Sequence, residues 1–139
     1  MKLKTSDELT RYEDHQESLD IILKAQSLAK SDKSVQEAIK MLGGGWVGEE
    51  ALAISLYCSL KFTDDWLGGT LAAVNHSGDS DSTGSITGAI LGTMNGLKAI
   101  PVSFIERLEN QGQIKKMTDD MYKLFVEGKK LSHEEYPPC

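Results

Sequence analysis

Val47-Gly48-Glu49-Glu50-Ala51-Leu52-Ala53-Ile54-Ser55-Leu56-Tyr57-Cys58-Ser59-Leu60 is the stretch that decides the fold. After its two glutamates, apolar side chains occupy almost every side of a 3.6-residue repeat. A helix that is apolar all round belongs at the centre of a bundle, so its neighbours are expected to be helices as well. The apolar part, Ala51 to Leu60, is about half of the roughly 20 residues that a membrane-spanning helix needs, and serines interrupt it. A buried soluble helix is therefore expected, with no membrane partner.

Upstream, Gly43-Gly44-Gly45 ends a shorter helix, because three residues without Cβ favour non-helical backbone and let another segment approach closely. That helix starts at Ser34-Val35-Gln36-Glu37, which has the spacing of a capping box, and runs to Met41 or Leu42. Before it, Leu9, Tyr12, Leu19, Ile22, Leu23 and Leu28 lie mostly three, four or seven apart and predict one N-terminal helix from Ser6 to about Lys30, within residues 1–33.

Downstream, Thr63-Asp64-Asp65 is assigned to capping the next helix, which carries Trp66, Leu67 and Leu71 to Val74. A polar loop from Asn75 to Gly84 follows. Ile86, Ala89, Ile90, Met94 and Leu97 then define a helical face, and Gly84, Gly88, Gly92 and Gly96 recur every four residues as a ridge for close helix packing. Pro101 opens a helix to about Glu109, Ile114 to Glu127 forms another, and residues 132–139 are expected to be a flexible tail. No alternation long enough for a strand and no internal repeat is found. The fold class is all-α, a compact helical bundle in a single domain over residues 1–139.

Composition agrees with that class. The 139 residues are 40% hydrophobic and 26% charged, near the globular average. Fifteen basic residues against 21 acidic ones give a net charge of −6, which provides no long-range attraction for nucleic acid or an anionic membrane. The first residues, Met1-Lys2-Leu3-Lys4-Thr5-Ser6, lack the apolar stretch of a secretory signal, so a cytoplasmic location is expected. Cys58 in an apolar run and Cys139 at the end fit free thiols in a reducing compartment, without zinc-type spacing.

Chemistry concentrates in Asn75-His76-Ser77-Gly78-Asp79-Ser80-Asp81-Ser82-Thr83-Gly84. Two carboxylates and several hydroxyls ahead of a helix are hard oxygen ligands of the kind magnesium, calcium or manganese takes. An EF-hand is ruled out, since its closing acid would fall on Ile90. Phosphoryl transfer is disfavoured because no Lys or Arg lies near Asp79 in the sequence. Asp79, Asp81 and Ser82 also suit a helix cap, and on spacing alone capping and metal binding stand side by side. Two acids one residue apart repel unless a cation or helix end neutralises them, which favours a metal.

Four pieces in order carry a resemblance: Gly43 to Ala53, Ala72 to Gly84 with its Gly-Asp-Ser-Asp-Ser-Thr-Gly string, Gly88-Ala89-Ile90-Leu91-Gly92, and Ile100-Pro101. The chain resembles the C-terminal portion of the ADP-ribosylglycohydrolase family, which includes dinitrogenase-reductase-activating glycohydrolases and crystallin-type relatives. The likeness runs from about residue 35 to 124. It implies an all-α fold with a two-magnesium centre, manganese being the other candidate ion, that hydrolyses the glycosidic bond between ADP-ribose and a protein or small acceptor. By the same resemblance Asp79, Asp81 and Ser82 are metal ligands, and Gly44, Gly45 and Trp46 line the ADP-ribose cleft, with a core plug as the other reading of Trp46.

The family also carries a Gly-Asp-containing motif and a Thr-Asp-Asp-Thr-like motif in a helical portion that precedes the region seen here. Thr63-Asp64-Asp65 lies in the wrong place to supply it. Half of the metal site is thus expected to be missing from this chain and to come from a complementary N-terminal portion or a second copy in a homo-oligomer. The alternative is an inactive truncated relative that serves as a helical ADP-ribose-binding, protein-interaction or oligomerisation module. No catalytic residue is assigned. His76 is expected to orient its loop, and Glu49 and Glu50 to sit beyond the ligands or to place charge at a helix N-terminus.

Overall fold

The Ser34 hydroxyl accepts from the Glu37 N–H at 3.3 Å while the Glu37 carboxylate accepts from the Ser34 N–H at 3.1 Å, the reciprocal pair that its sequence spacing predicts. The Ser34 side chain, ahead of the backbone bond, holds the Glu37 carboxyl below its usual range. In the computed structural model, which describes residues 8–130 and 136, this box starts α2. The elements in order are α1 Gln16–Ala29, α2 Val35–Leu42, α3 Gly48–Lys61, α4 Trp66–Val74, α5 Ser80–Asn95, a 3-10 turn Leu97–Ala99, α6 Val102–Glu106 and α7 Gln111–Phe125. Every regular element among the described residues is helical, so the fold is all-α, and none of these helices is long and apolar enough to cross a membrane.

The chain divides into two compact units, residues 1–100 and 101–139. In the first, α3 is central as its composition predicts: it packs on α1, α2, α4 and α5. Its Ala53, Ile54, Tyr57 and Cys58 are fully buried and join Ala25, Leu28, Ile39 and Leu42 in one apolar cluster. Taking a Leu or Ile side chain out of water contributes roughly 1.5–3 kcal/mol, so this cluster is the main support of the unit. The Cys58 thiol is free, and burial pushes its pKa up to about 12. In the second unit, Asp120 of α7 accepts from Lys116, Lys123 and the Tyr136 hydroxyl at 2.6 to 2.9 Å.

Several predicted features are corrected. The single helix from Ser6 to Lys30 breaks into turns over residues 10–15, where Asp14 adopts φ +55 and the His15 ring bonds the Tyr12 carbonyl at 2.6 Å. Asp tolerates that left-handed backbone better than most residues, which a hydrophobic stripe does not register. On α5 the buried residues are Thr83, Gly84, Thr87 and Leu91, whereas Met94 of the predicted face is 48% exposed. Small residues and a bonded hydroxyl win that face: Thr83 Oγ1 donates to the Ala73 carbonyl at 2.7 Å, and Ser55 Oγ donates to the Thr83 carbonyl at 3.1 Å.

The glycine ridge is shorter than its register implies. A Cβ at Gly84 would lie 2.5 Å from Val74 Cγ1, and Gly88 and Gly92 lie under the Trp66 indole. Gly96 instead caps α5 at φ +74 with open space around it. The helix predicted to reach Glu109 ends at Glu106, and the next spans Gln111–Phe125 instead of starting at Ile114. Capping by Asp65 holds: its carboxylate accepts from the Gly68 N–H at 2.9 Å. Apart from Tyr136, the expected tail lies outside the described residues.

Candidate metal and ligand site

Two connections meet at the N-terminus of α5: the glycine loop between α2 and α3, and the polar loop between α4 and α5. The Asp79 N–H donates to the Gly44 carbonyl at 2.8 Å. A Cβ at Gly78 would lie 2.6 Å from the Gly44 carbonyl carbon, so only glycine lets the two backbones touch here. Gly45, at φ +77, packs on the same spot, with its Cβ position 3.1 Å from Thr83 Cγ2 and 3.7 Å from Asp79 Cβ.

Asp79 is the N-cap of α5, and its Oδ1 accepts from the Ser82 N–H at 3.4 Å. The neighbouring Asp81 side chain, then Ser82, hold the Asp79 carboxyl below its usual range. Asp79, Asp81 and Ser82 are thus brought together at one helix end, where the helix dipole also favours negative charge. Among the described residues no three His, Cys, Asp or Glu side chains converge as a metal site.

His76 orients its loop. The Gly78 N–H donates to His76 Nδ1 at 3.1 Å, which leaves the ring hydrogen on Nε2, 3.0 Å from Thr83 Oγ1. Thr83 Oγ1 shares its one hydrogen between the Ala73 carbonyl at 2.7 Å and the Asp79 carbonyl at 2.9 Å. Both ring nitrogens are engaged in holding the loop on α5. Trp46 is 72% exposed, and a Cβ at Gly44 would lie 2.6 Å from its indole ring, so the side chain lies over the glycine loop and is not a core plug. A cleft of about 350 Å3 adjoins this junction, lined by Ile39, Lys40, Gly44, Asn75 and His76 among others.

A model of the ADP-ribosylglycohydrolase family matches residues 3–130. The chain belongs to the ADP-ribosylglycohydrolase family. The matched segment includes α1 as well as the loops and helices whose sequence carries the resemblance. No solved structure matches the chain.

In this ADP-ribosylglycohydrolase family member, three contributors to the site escape the sequence reading, and a fourth, Glu50, is expected beyond the ligands but without its partners. Gly78 allows the loop contact, Thr83 and Ser55 form a hydroxyl thread beneath the Asp79 turn, and the Glu50 carboxylate accepts from the N–H groups of Gly44 and Gly45 at 3.1 and 3.0 Å. Only Gly78 has a local signal, as the glycine directly before the first acid. The other three act through contacts between separate elements.

Proposed function

We propose that this chain contributes to hydrolysis of the glycosidic bond between ADP-ribose and a protein or small acceptor, with Asp79, Asp81 and Ser82 as magnesium ligands. The observation that carries this reading is that Asp79, Asp81 and Ser82 stand together at the N-terminal end of α5 in a member of this family. Two carboxylates and a serine hydroxyl within one helical turn are an oxygen donor set suited to magnesium or manganese. A bound ion there supplies orientation of the ribose hydroxyls and activation of a water for attack at the anomeric carbon.

The chain's own residues prepare that end of α5. Thr83 and His76 fix the turn that carries Asp79, and the bare backbone of Gly44 and Gly45 leaves room for a ligand beside the exposed Trp46 indole. Because the Gly44 and Gly45 N–H groups already bond Glu50, this loop offers a ligand surface and clearance without free donors at those two positions. Magnesium takes six oxygens, so water and further oxygen ligands would join the triplet. The test is magnesium-dependent release of ADP-ribose from an ADP-ribosylated protein. Asp79→Ala and Asp81→Ala are each expected to reduce it to background, and unchanged release in both contradicts the assignment.

A second reading, a non-catalytic module that binds ADP-ribose, draws on the exposed Trp46 indole beside the glycine loop. It predicts ADP-ribose binding without release of acceptor in the same assay.

A further inference from the structure

We infer that Glu50 is a positioning residue for Asp79, acting through the glycine loop. This inference rests on the metal-ligand reading of Asp79 given above. Glu50 lies in the first turn of α3, where an acid ordinarily serves only the helix dipole. Its carboxylate instead turns back, and one oxygen, Oε2, accepts from two consecutive N–H groups, those of Gly44 and Gly45. Consecutive N–H groups converging on one point form an anion-binding concavity, and here the chain fills it with its own carboxylate. Gly43 is part of the fit: a Cβ there would collide with the Glu50 carboxyl group.

The peptide unit that joins Gly44 to Gly45 has a second face. While its N–H, that of Gly45, is held by Glu50, its carbonyl, that of Gly44, accepts the Asp79 N–H at 2.8 Å, and Gly45 rests on Asp79 and Thr83. Glu50 thus fixes the orientation of the Gly44 backbone, and that backbone fixes the residue that caps α5 and carries a metal-ligating carboxylate. The path runs through hydrogen bonds at every step and does not require Glu50 to touch the ion or the substrate. Groups of this kind, which hold a ligand in place from one layer out, typically change metal affinity about 10- to 100-fold when removed.

The test uses the full chain and two readouts. In amide hydrogen exchange without metal, Glu50→Ala and Glu50→Asp, which withdraws the carboxylate by one bond, are each expected to speed exchange about tenfold or more at Gly44, Gly45 and Asp79. Interior amides of α3 and α5 keep their protection, and Glu50→Gln, which retains an acceptor oxygen, restores the wild-type pattern. Faster exchange at Gly44 and Gly45 with Asp79 unchanged overturns the inference, as does a uniform loss across α3 and α5. In titration with Mn2+ alone, Glu50→Ala is expected to weaken binding about 10- to 100-fold and Glu50→Gln to stay near wild type. Equal binding by wild type and Glu50→Ala overturns the positioning role. A wild-type chain that takes up no Mn2+ contradicts the metal reading itself, and the exchange data then decide the Glu50 linkage independently.

Discussion

Gly78 and Gly44 touch backbone to backbone, and that contact sets where Asp79 begins its helix. Glycine is needed at 78 for clearance, since a methyl group there meets the Gly44 carbonyl with no flexible side chain to move aside. Gly78→Ala should therefore cost about 1–3 kcal/mol through forced displacement of one loop. Urea denaturation measures it, and a midpoint equal to wild type contradicts the account. At this scale the sequence was legible where the chemistry is local: Asp79, Asp81 and Ser82 sit within one turn, so adjacency in the chain is adjacency in space. Glu50 was legible as an acid beyond the site, but neither its partners nor those of Thr83 were, because the peptide groups they bond belong to other segments and no spacing rule connects them. Trp46 was readable as part of the loop, but only its exposure separates a surface indole from a core plug.

Among the helices, α5 shows what periodicity resolves and what it misses. Its glycines share a register in the sequence, yet they meet different neighbours. Cβ positions at Gly88 and Gly92 are 3.7 and 3.8 Å from the Trp66 indole, ordinary contact, while Gly84 is 2.5 Å from Val74 Cγ1. Gly88→Ala and Gly92→Ala should each stabilise the chain by about 0.4–1 kcal/mol by restricting the unfolded state. Gly84→Ala should destabilise it, and thermal melts that rank the three alike contradict this packing. The apolar residues of α5 marked the helix correctly but misplaced its buried face, because Thr83 can bury its hydroxyl at no hydrogen-bond cost by donating to a helix carbonyl. The capping box of α2 was fully legible, since every atom it uses lies within four residues. In α7, the Lys116 ammonium first, then Lys123 and the Tyr136 hydroxyl, hold the Asp120 carboxyl well below the usual carboxylate range. A carboxyl more acidic in the folded chain adds stability above its ordinary pKa and loses it as pH falls through the depressed one. Carboxyl NMR should find Asp120 still ionised at pH 3.8, and a midpoint at or above that value contradicts the cluster.

For the molecule as a whole, the all-α class followed from one helix that is apolar on almost every side, and the structure places that helix against four others. The arrangement into two compact units had no counterpart in the sequence, where no Gly- or Ser-rich linker marks residue 100. Membership of the ADP-ribosylglycohydrolase family rests on a match across residues 3–130, a span that contains the junction of two loops at α5. With a net charge of −6, further acids at α5 raise a repulsion that a divalent cation would relieve, so metal and fold should be linked at this end of the molecule. The most direct measurement is calorimetric titration of magnesium into the wild-type chain and Asp79→Ala, each with and without ADP-ribose. The account predicts magnesium binding by wild type that tightens with ADP-ribose and disappears in Asp79→Ala; magnesium binding that is absent from wild type, or the same in both chains, contradicts it.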